Sequence, residues 1–176
     1  FLAVPVALLA ARNISESRLP NLVATFILVP SRSVNSLIWA LLFVAIFGPG
    51  ALAGVLSIGF RSIGFVGKLL AEAIEEVDAG PIDALRATGS PAASLITKGY
   101  WPQVEPSFWS IALFRWDINV RESAVLGLVG AGGIGVALEA AQNNLYWDQV
   151  GLILAIIFAV VIVTEIVTSA IRKRII

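Results

Sequence analysis

Residues Gln149–Ile171 contain a single charged side chain, Glu165, and run straight into Arg172-Lys173-Arg174. A helix needs about 20 mostly apolar residues to cross about 30 Å of hydrocarbon, and a basic cluster at its end holds that end at the membrane surface. A water-soluble core has no use for such a segment. A second stretch, from Ser33 to Phe60, carries no charge at all. Residues of 58% hydrophobic and 14% charged type make the chain far oilier than a soluble domain, which is typically about 45–50% apolar and about 25% charged. Transmembrane strands would show about 9–11 alternating residues, and the pattern here is instead continuous and helical. The expected fold class is all-α, a polytopic membrane helix bundle of about five transmembrane helices.

The spans follow from the interruptions. Gly48-Pro49-Gly50 breaks the charge-free stretch, because Pro with flanking Gly favours a turn over a continuing helix. The pattern predicts helices over roughly Ser33–Phe47, extended backward through Asn21–Val29 with a break at Pro30, and over Ala51–Glu76. Phe1–Ala11, Val104–Val120 and Gln149–Ile171 complete the set. One transmembrane domain over residues 1–176 is expected, and because Phe1 opens inside an apolar run and the chain holds no Met, it reads as a domain lacking its natural start.

Charge sets the orientation and excludes whole classes of function. Short cytoplasmic loops hold an excess of Lys and Arg. Arg12, Arg18 and Arg32, then Lys68, Arg86 and Lys98, then Arg172, Lys173 and Arg174 fall on one side if the helices alternate, and that side is expected to be the cytoplasm. On this topology the sequon Asn13-Ile-Ser15 is cytoplasmic and uninformative. The 12 basic residues only balance the 12 acidic ones, so nothing is left over to neutralise a nucleic-acid backbone, and no nucleic-acid partner is expected. Without Cys or His the chain has no zinc site, no Cys nucleophile and no His-based triad. A non-catalytic membrane subunit with no cofactor and no metal is expected.

Within residues 72–102, Glu72, Glu75, Glu76 and Asp78 are too polar to stay in hydrocarbon, so the helix entering from Ala51 should protrude into water and end at Gly80-Pro81. The following Ile82–Pro91 predicts a short amphipathic helix. Pro81 suits its first turn, Asp83 the positive end of its dipole, and Gly89 and Pro91 close it. Ile82, Ala84 and Leu85 are expected on one side and Asp83 and Arg86 on the other. Two turns are marginal alone, so a partner surface is implied. The plainer alternative is an ordinary polar loop.

Asp83-Ala84, Gly89 six residues after Asp83, and Pro102 thirteen further on resemble the cytoplasmic EAA loop of ABC-importer permeases. The departures are Asp83 for Glu, Leu85 for the second Ala, Gly99 for Ile and Trp101 for Leu. The stretches Gly67–Pro81, Asp117–Arg121 and Val125–Gly135 narrow the likeness to the phosphonate-type permease, and it runs over nearly the whole chain. The resemblance implies a multi-pass subunit of the bacterial cytoplasmic (inner) membrane with a cytoplasmic C-terminus. It also implies a second permease subunit in a homodimer, an ABC ATPase subunit and an extracytoplasmic solute-binding protein. Asp83, Ala84, Leu85, Arg86, Ala87, Thr88 and Gly89 would form the coupling helix that docks on the ATPase. The implied cargo is phosphonate, phosphate or a related oxyanion. The alternatives are a permease for methionine or a quaternary amine and, from another class, a secondary transporter working without ATP, which should show inverted repeats.

Gly130-Ala-Gly-Gly-Ile-Gly135 satisfies the dinucleotide-binding pattern G-x-G-x-x-G, but that pattern has meaning only between a strand and a helix of a βαβ unit, and no parallel-sheet pattern surrounds it. Small residues that let membrane helices approach closely are the better account, either as packing alone or beside a translocation path to which Gly130, Gly132 and Gly133 would contribute. Charges at membrane depth usually face protein or water. Asp117 and Arg121 are four apart and predict a local ion pair, Arg115 has no acid three or four residues away, and Arg115 and Arg121 are candidates for lining an anion path, since the guanidinium fork suits oxyanions. Arg61 and Glu165 are expected to pair across helices.

Overall fold

The computed structural model describes residues 2–14 and 18–175, and Ser15 of the sequon and Phe1 lie outside them. Every regular element among the described residues is helical: α1 Ala3–Ala10, α2 Arg18–Ser33, α3 Ser36–Phe47, α4 Ala51–Glu75, α5 Ala79–Ala87, α6 Ala92–Ser94, a π-helical turn Leu95–Tyr100, α7 Trp101–Leu126, a 3₁₀ turn Gly127–Val129, α8 Ile134–Asn143 and α9 Trp147–Ile175. By length and apolar character α4 and α9 can each cross a bilayer alone. The bent pairs Leu19–Ser33 with Ser36–Phe47, at 101°, and Ala92–Val129 with Ile134–Asn143, at 41°, qualify as broken spans.

Helices α4 and α7 form the central pair, and the contacts between them fix their direction. Arg61 meets Glu122, Ser62 meets Asn119, the Phe65 and Phe114 rings stand 6.1 Å apart, and Leu70 and Ile74 share a buried cluster with Val104 and Phe108. Numbers rise along one helix as they fall along the other, so the pair is antiparallel. The buried face of α4 is built from Ala53, Gly54, Ser57, Gly64, Gly67, Leu70, Ala71 and Ile74, which recur at intervals of three, four and seven, and as far as Gly67 it is the small-residue seam that membrane helices use to approach closely. On that seam a Cβ at Gly64 would stand 2.4 Å from Ser31 Oγ, so α2 crosses α4 with no room for a side chain.

The helix α2 runs through Pro30, contrary to the expected break there. The bend falls at Val34–Asn35, where the Asn35 carboxamide accepts from the Leu37 N–H at 3.1 Å and caps α3. Pro30 costs α2 one backbone bond, whereas Asn35 satisfies an otherwise orphaned donor of the next helix, and the Ser31 hydroxyl bonded to the Phe60 carbonyl holds α2 on α4.

At the far end α9 packs on α7 and α8 and leaves Leu152, Phe158, Ile162, Val163 and Ile166 exposed, a surface stable only against hydrocarbon or another apolar surface. The helix α8, which lies between the last two expected spans, starts after Gly133 and buries Leu138 and Ala141 against Val150.

Candidate functional site

Two places gather the residues that the sequence singles out, and α4 and α7 connect them. The first is the short helix α5. It starts two residues earlier than the proline signal indicated, because Asp78 caps it: the Asp78 carboxylate accepts from the Gly80 N–H at 3.0 Å. Asp83 therefore lies beyond the first turn and does not serve the helix N-terminus. The turn from α4 is clamped by Gln103, whose Oε1 accepts from the Asp78 N–H at 3.0 Å and whose Nε2 donates to the Gly99 carbonyl at 2.9 Å. Gly89, at φ +72°, ends the helix with its N–H on the Arg86 carbonyl at 2.9 Å.

One face of α5 is sunk into the bundle. Ile82 is buried with Leu70, Ala71, Ile74, Tyr100 and Val104, and Leu85 is half-buried. A Cβ on Gly99 would come within 3.3 Å of both Ile82 Cγ1 and Leu85 Cδ1, so the π-helical turn before α7 lies directly under the helix. Asp83, Ala84, Arg86, Ala87, Thr88 and Gly89 are exposed. Ala84, expected beside Ile82 and Leu85, thus belongs to the outward face: positions 82 and 85 share a side, and 84 is turned about 200° from 82. The outward face carries an Asp83–Arg86 pair at 3.4 Å, too exposed to add much stability.

The second place is a charge cluster between α4 and α7. Glu122 bonds Arg61 through one carboxylate oxygen and Arg115 through the other, the latter at 3.2 Å. The Arg115 guanidinium also donates to Ser62 Oγ at 3.0 Å and lies 5.6 Å from the centre of the Phe65 ring. The Arg115 side chain is only 3% exposed, while those of Arg61 and Glu122 are 25% and 18% exposed. The expected Arg61–Glu165 pair does not form. Arg61 faces α7 across the antiparallel pair, whereas Glu165 is exposed on α9, which packs elsewhere.

Arg121 pairs with Asp117 as its spacing predicts, and that pair turns Arg121 outward, 51% exposed and away from the cluster. The structure therefore places Arg115 and Arg121 apart. Two grooves flank the cluster. One of about 460 Å³ is lined by Gly132 and Gly133 with Ala51, Gly54 and Ser123, and the other, of about 370 Å³, by Arg115 with Phe108, Ala112 and Trp116. Gly59, Ser62 and Asn119 line both, so a polar waist joins the grooves.

Gly130 lies outside these linings. Its carbonyl accepts from the Gly50 N–H at 2.9 Å, tying the glycine-rich loop to the turn before α4. Gly130, Gly132 and Gly133 all have φ near +80°, where side chains are strained, and a Cβ on Gly132 would stand 2.6 Å from Ala51 Cα. Ser62, Asn119, Gln103 and Glu122's role as counter-ion were not read from the sequence. Glu122 alone had a signal there, since seven residues after Arg115 is two turns on the same helix face.

Residues 3–176 match the model of the binding-protein-dependent transport system inner membrane component family. The phosphite transport system permease protein PtxC of Stutzerimonas stutzeri is 43% identical over 169 residues, 96% of this chain and 62% of that protein. The phosphate-import permease protein PhnE of Mycolicibacterium smegmatis is 41% identical over 171 residues, 97% of this chain and 32% of that protein. The chain thus spans less than two thirds of the length of either relative. Among solved structures, an inward-facing form of the MetNI methionine ABC transporter superposes with a TM-score of 0.77 at 21% identity, covering 99% of this chain and 86% of that one, a likeness of fold.

Proposed function

This chain belongs to the binding-protein-dependent transport system inner membrane component family, and on that premise we propose that it is the permease subunit of an ATP-driven importer for a small phosphorus oxyanion such as phosphonate, phosphite or phosphate. The observation that carries the reading is α5, a capped helix with one face buried by Ile82 and Leu85 and the other, Asp83–Gly89, left bare. A nine-residue helix is too short to be stable by itself and too polar to lie in lipid. It suits a rigid lever: a partner grips the bare face, and the buried face passes the displacement to α4 and to the start of α7. The partner is an ABC ATPase subunit in the cytoplasm, which puts α5 and the C-terminus of α9 on the cytoplasmic side. A second permease subunit would cover apolar surface that the single chain leaves open, and an extracytoplasmic solute-binding protein would deliver the cargo. Gly132 and Gly133 line one groove of the path and Arg115 the other, and Gly130 shapes the loop that carries the two glycines.

The test is co-purification with an ATPase subunit encoded beside this chain, with an Ala87→Cys variant in place for crosslinking. Oxyanion-dependent stimulation of ATP hydrolysis and a crosslink from position 87 to the ATPase are expected. A position 87 that reacts only with reagents added from the outer face would refute the topology and the coupling role together.

A further inference from the structure

We propose that Arg61 and Arg115 form a transient site for the cargo oxyanion, and that Glu122 is its stand-in, holding the two guanidinium groups together until an anion displaces it. The inference rests on the permease reading for the identity of the cargo, but the site itself follows from charge and position. Two cations share one carboxylate, so the cluster carries one surplus positive charge. It does so where α4 has already run ten residues, about 15 Å, from its first residue Ala51. A surplus charge at membrane depth is costly unless it faces water or an opposite charge. The structure supplies a polar opening there: Gly59, Ser62 and Asn119 line grooves on both sides of the waist.

The chemistry selects the ligand class. Arg61 and Arg115 each bind Glu122 through a separate carboxylate oxygen, an arrangement that the oxygens of a tetrahedral oxyanion can reproduce. Arg115 is already oriented, by Ser62 Oγ on its Nε and by the Phe65 ring. A dianion satisfies two guanidinium groups better than one carboxylate does, whereas a zwitterionic amino acid brings a cation that the surplus charge repels. An internal carboxylate also keeps the site neutral enough to stay folded when empty and limits how long the cargo remains. Phospholipid headgroups share this chemistry, and the experiment separates the two sources.

The sequence contains no Cys, and a Cβ at Gly59 meets nothing within 4 Å, so Gly59→Cys places the chain's one thiol at the waist without disturbing the cluster. The variant is purified with its partner subunits in zwitterionic nanodiscs and labelled with an anionic and a cationic methanethiosulfonate. The anionic reagent is expected to react about tenfold faster, and inorganic phosphite or phosphate to slow it. Adding Arg61→Gln, which leaves Glu122 paired with Arg115, should remove most of both effects. Glu122→Gln should lower the melting temperature, and inorganic phosphate should raise it again by more than it does in the wild type, since the anion takes the vacated place. If that variant fails to fold, the labelling of Arg61→Gln still decides. Equal rates for the two reagents, protection that survives Arg61→Gln, or protection by added phosphatidylglycerol in place of phosphite overturns the site. Uptake by the wild-type complex is measured alongside. Uptake without charge preference sinks the site and spares the permease reading, whereas charge preference and protection without uptake do the reverse.

Discussion

Gly54 and Gly59 lie five residues apart on α4, yet the structure gives them opposite prospects on substitution by Ala. A Cβ at Gly54 would stand 2.3 Å from the Ala131 carbonyl oxygen, and ordinary contact begins near 3.4 Å, so the glycine-rich loop would have to retreat by about 1.1 Å. That carbonyl cannot swing aside freely. The Ala131 N–H is bonded to the Leu126 carbonyl at 3.2 Å, and Gly130 beside it holds the Gly50 N–H. Overpacking of this kind costs about 1–3 kcal/mol. Both substitutions gain about 1 kcal/mol of helix propensity, which cancels in the comparison and leaves the clash as the difference between the two variants. At about 2–4 °C per kcal/mol for a chain of this size, Gly54→Ala should melt about 2–12 °C below Gly59→Ala in the same detergent. Differential scanning fluorimetry on the two purified variants measures this directly. If Gly54→Ala melts at or above Gly59→Ala, the close approach of loop to helix is not real, and the groove beside it loses its wall.

Truncating Ile82 to Ala empties a buried seat under α5, with an expected cost of about 2–5 kcal/mol, and, on the permease reading proposed above, should leave ATP hydrolysis by the partner subunit unresponsive to cargo even where the complex still assembles. Asp78→Ala removes the helix cap at a cost of about 1 kcal/mol, and hydrogen exchange should quicken at the Gly80 amide while α4 stays protected. The two ion pairs of α7 should differ sharply in thermal melts. Asp117→Asn breaks the pair of the exposed Arg121 and should cost at most about 1 kcal/mol. Glu122→Gln strands the buried Arg115 and should cost about 3–5 kcal/mol.

Properties carried by one stretch of chain were legible in the sequence. The apolar run ending at Arg172-Lys173-Arg174 sits in α9, and the acids from Glu72 to Asp78 mark where α4 gives way to α5. The Asp117–Arg121 pair follows from spacing on one helix. What sequence leaves open is the rotation of one helix against another. Arg61 had several acids it could meet, and its choice of Glu122 over Glu165 is settled by α4 lying antiparallel to α7, which no local pattern states. Pro30 and Asn35 illustrate competition between two local signals. The stronger breaker lost because the Asn cap and the Ser31 contact with α4 favour a bend four residues later. Helix α8 was hidden because its capping position is a glycine at φ +79°, which reads as a loop signal from sequence alone.

On the permease reading proposed above, the central pair gives a short surface helix a route to a distant charge cluster. Helix α4 ends at Glu75, and Glu76 to Asp78 tie it covalently to α5, while Ile82 and Leu85 of α5 rest on Gly99, two residues before α7 begins. The helices that supply Arg61 and Arg115 therefore terminate on the same nine-residue element. Gln103 bonds both the turn at Asp78 and the carbonyl of Gly99, so this end of the pair is stapled. At the cluster, by contrast, polar groups and two grooves replace close packing. A force on α5 thus enters where the two helices are rigidly joined and is released where polar contacts join them, Arg61 to Glu122 and both Arg115 and Asn119 to Ser62. Sliding or rotation of α4 against α7 will first strain the polar bonds that cross between them, Arg61 to Glu122 and Arg115 to Ser62. An anion that replaced Glu122 would meet the same strain, so on the permease reading proposed above, the stroke that moves α5 is also what loosens the cargo.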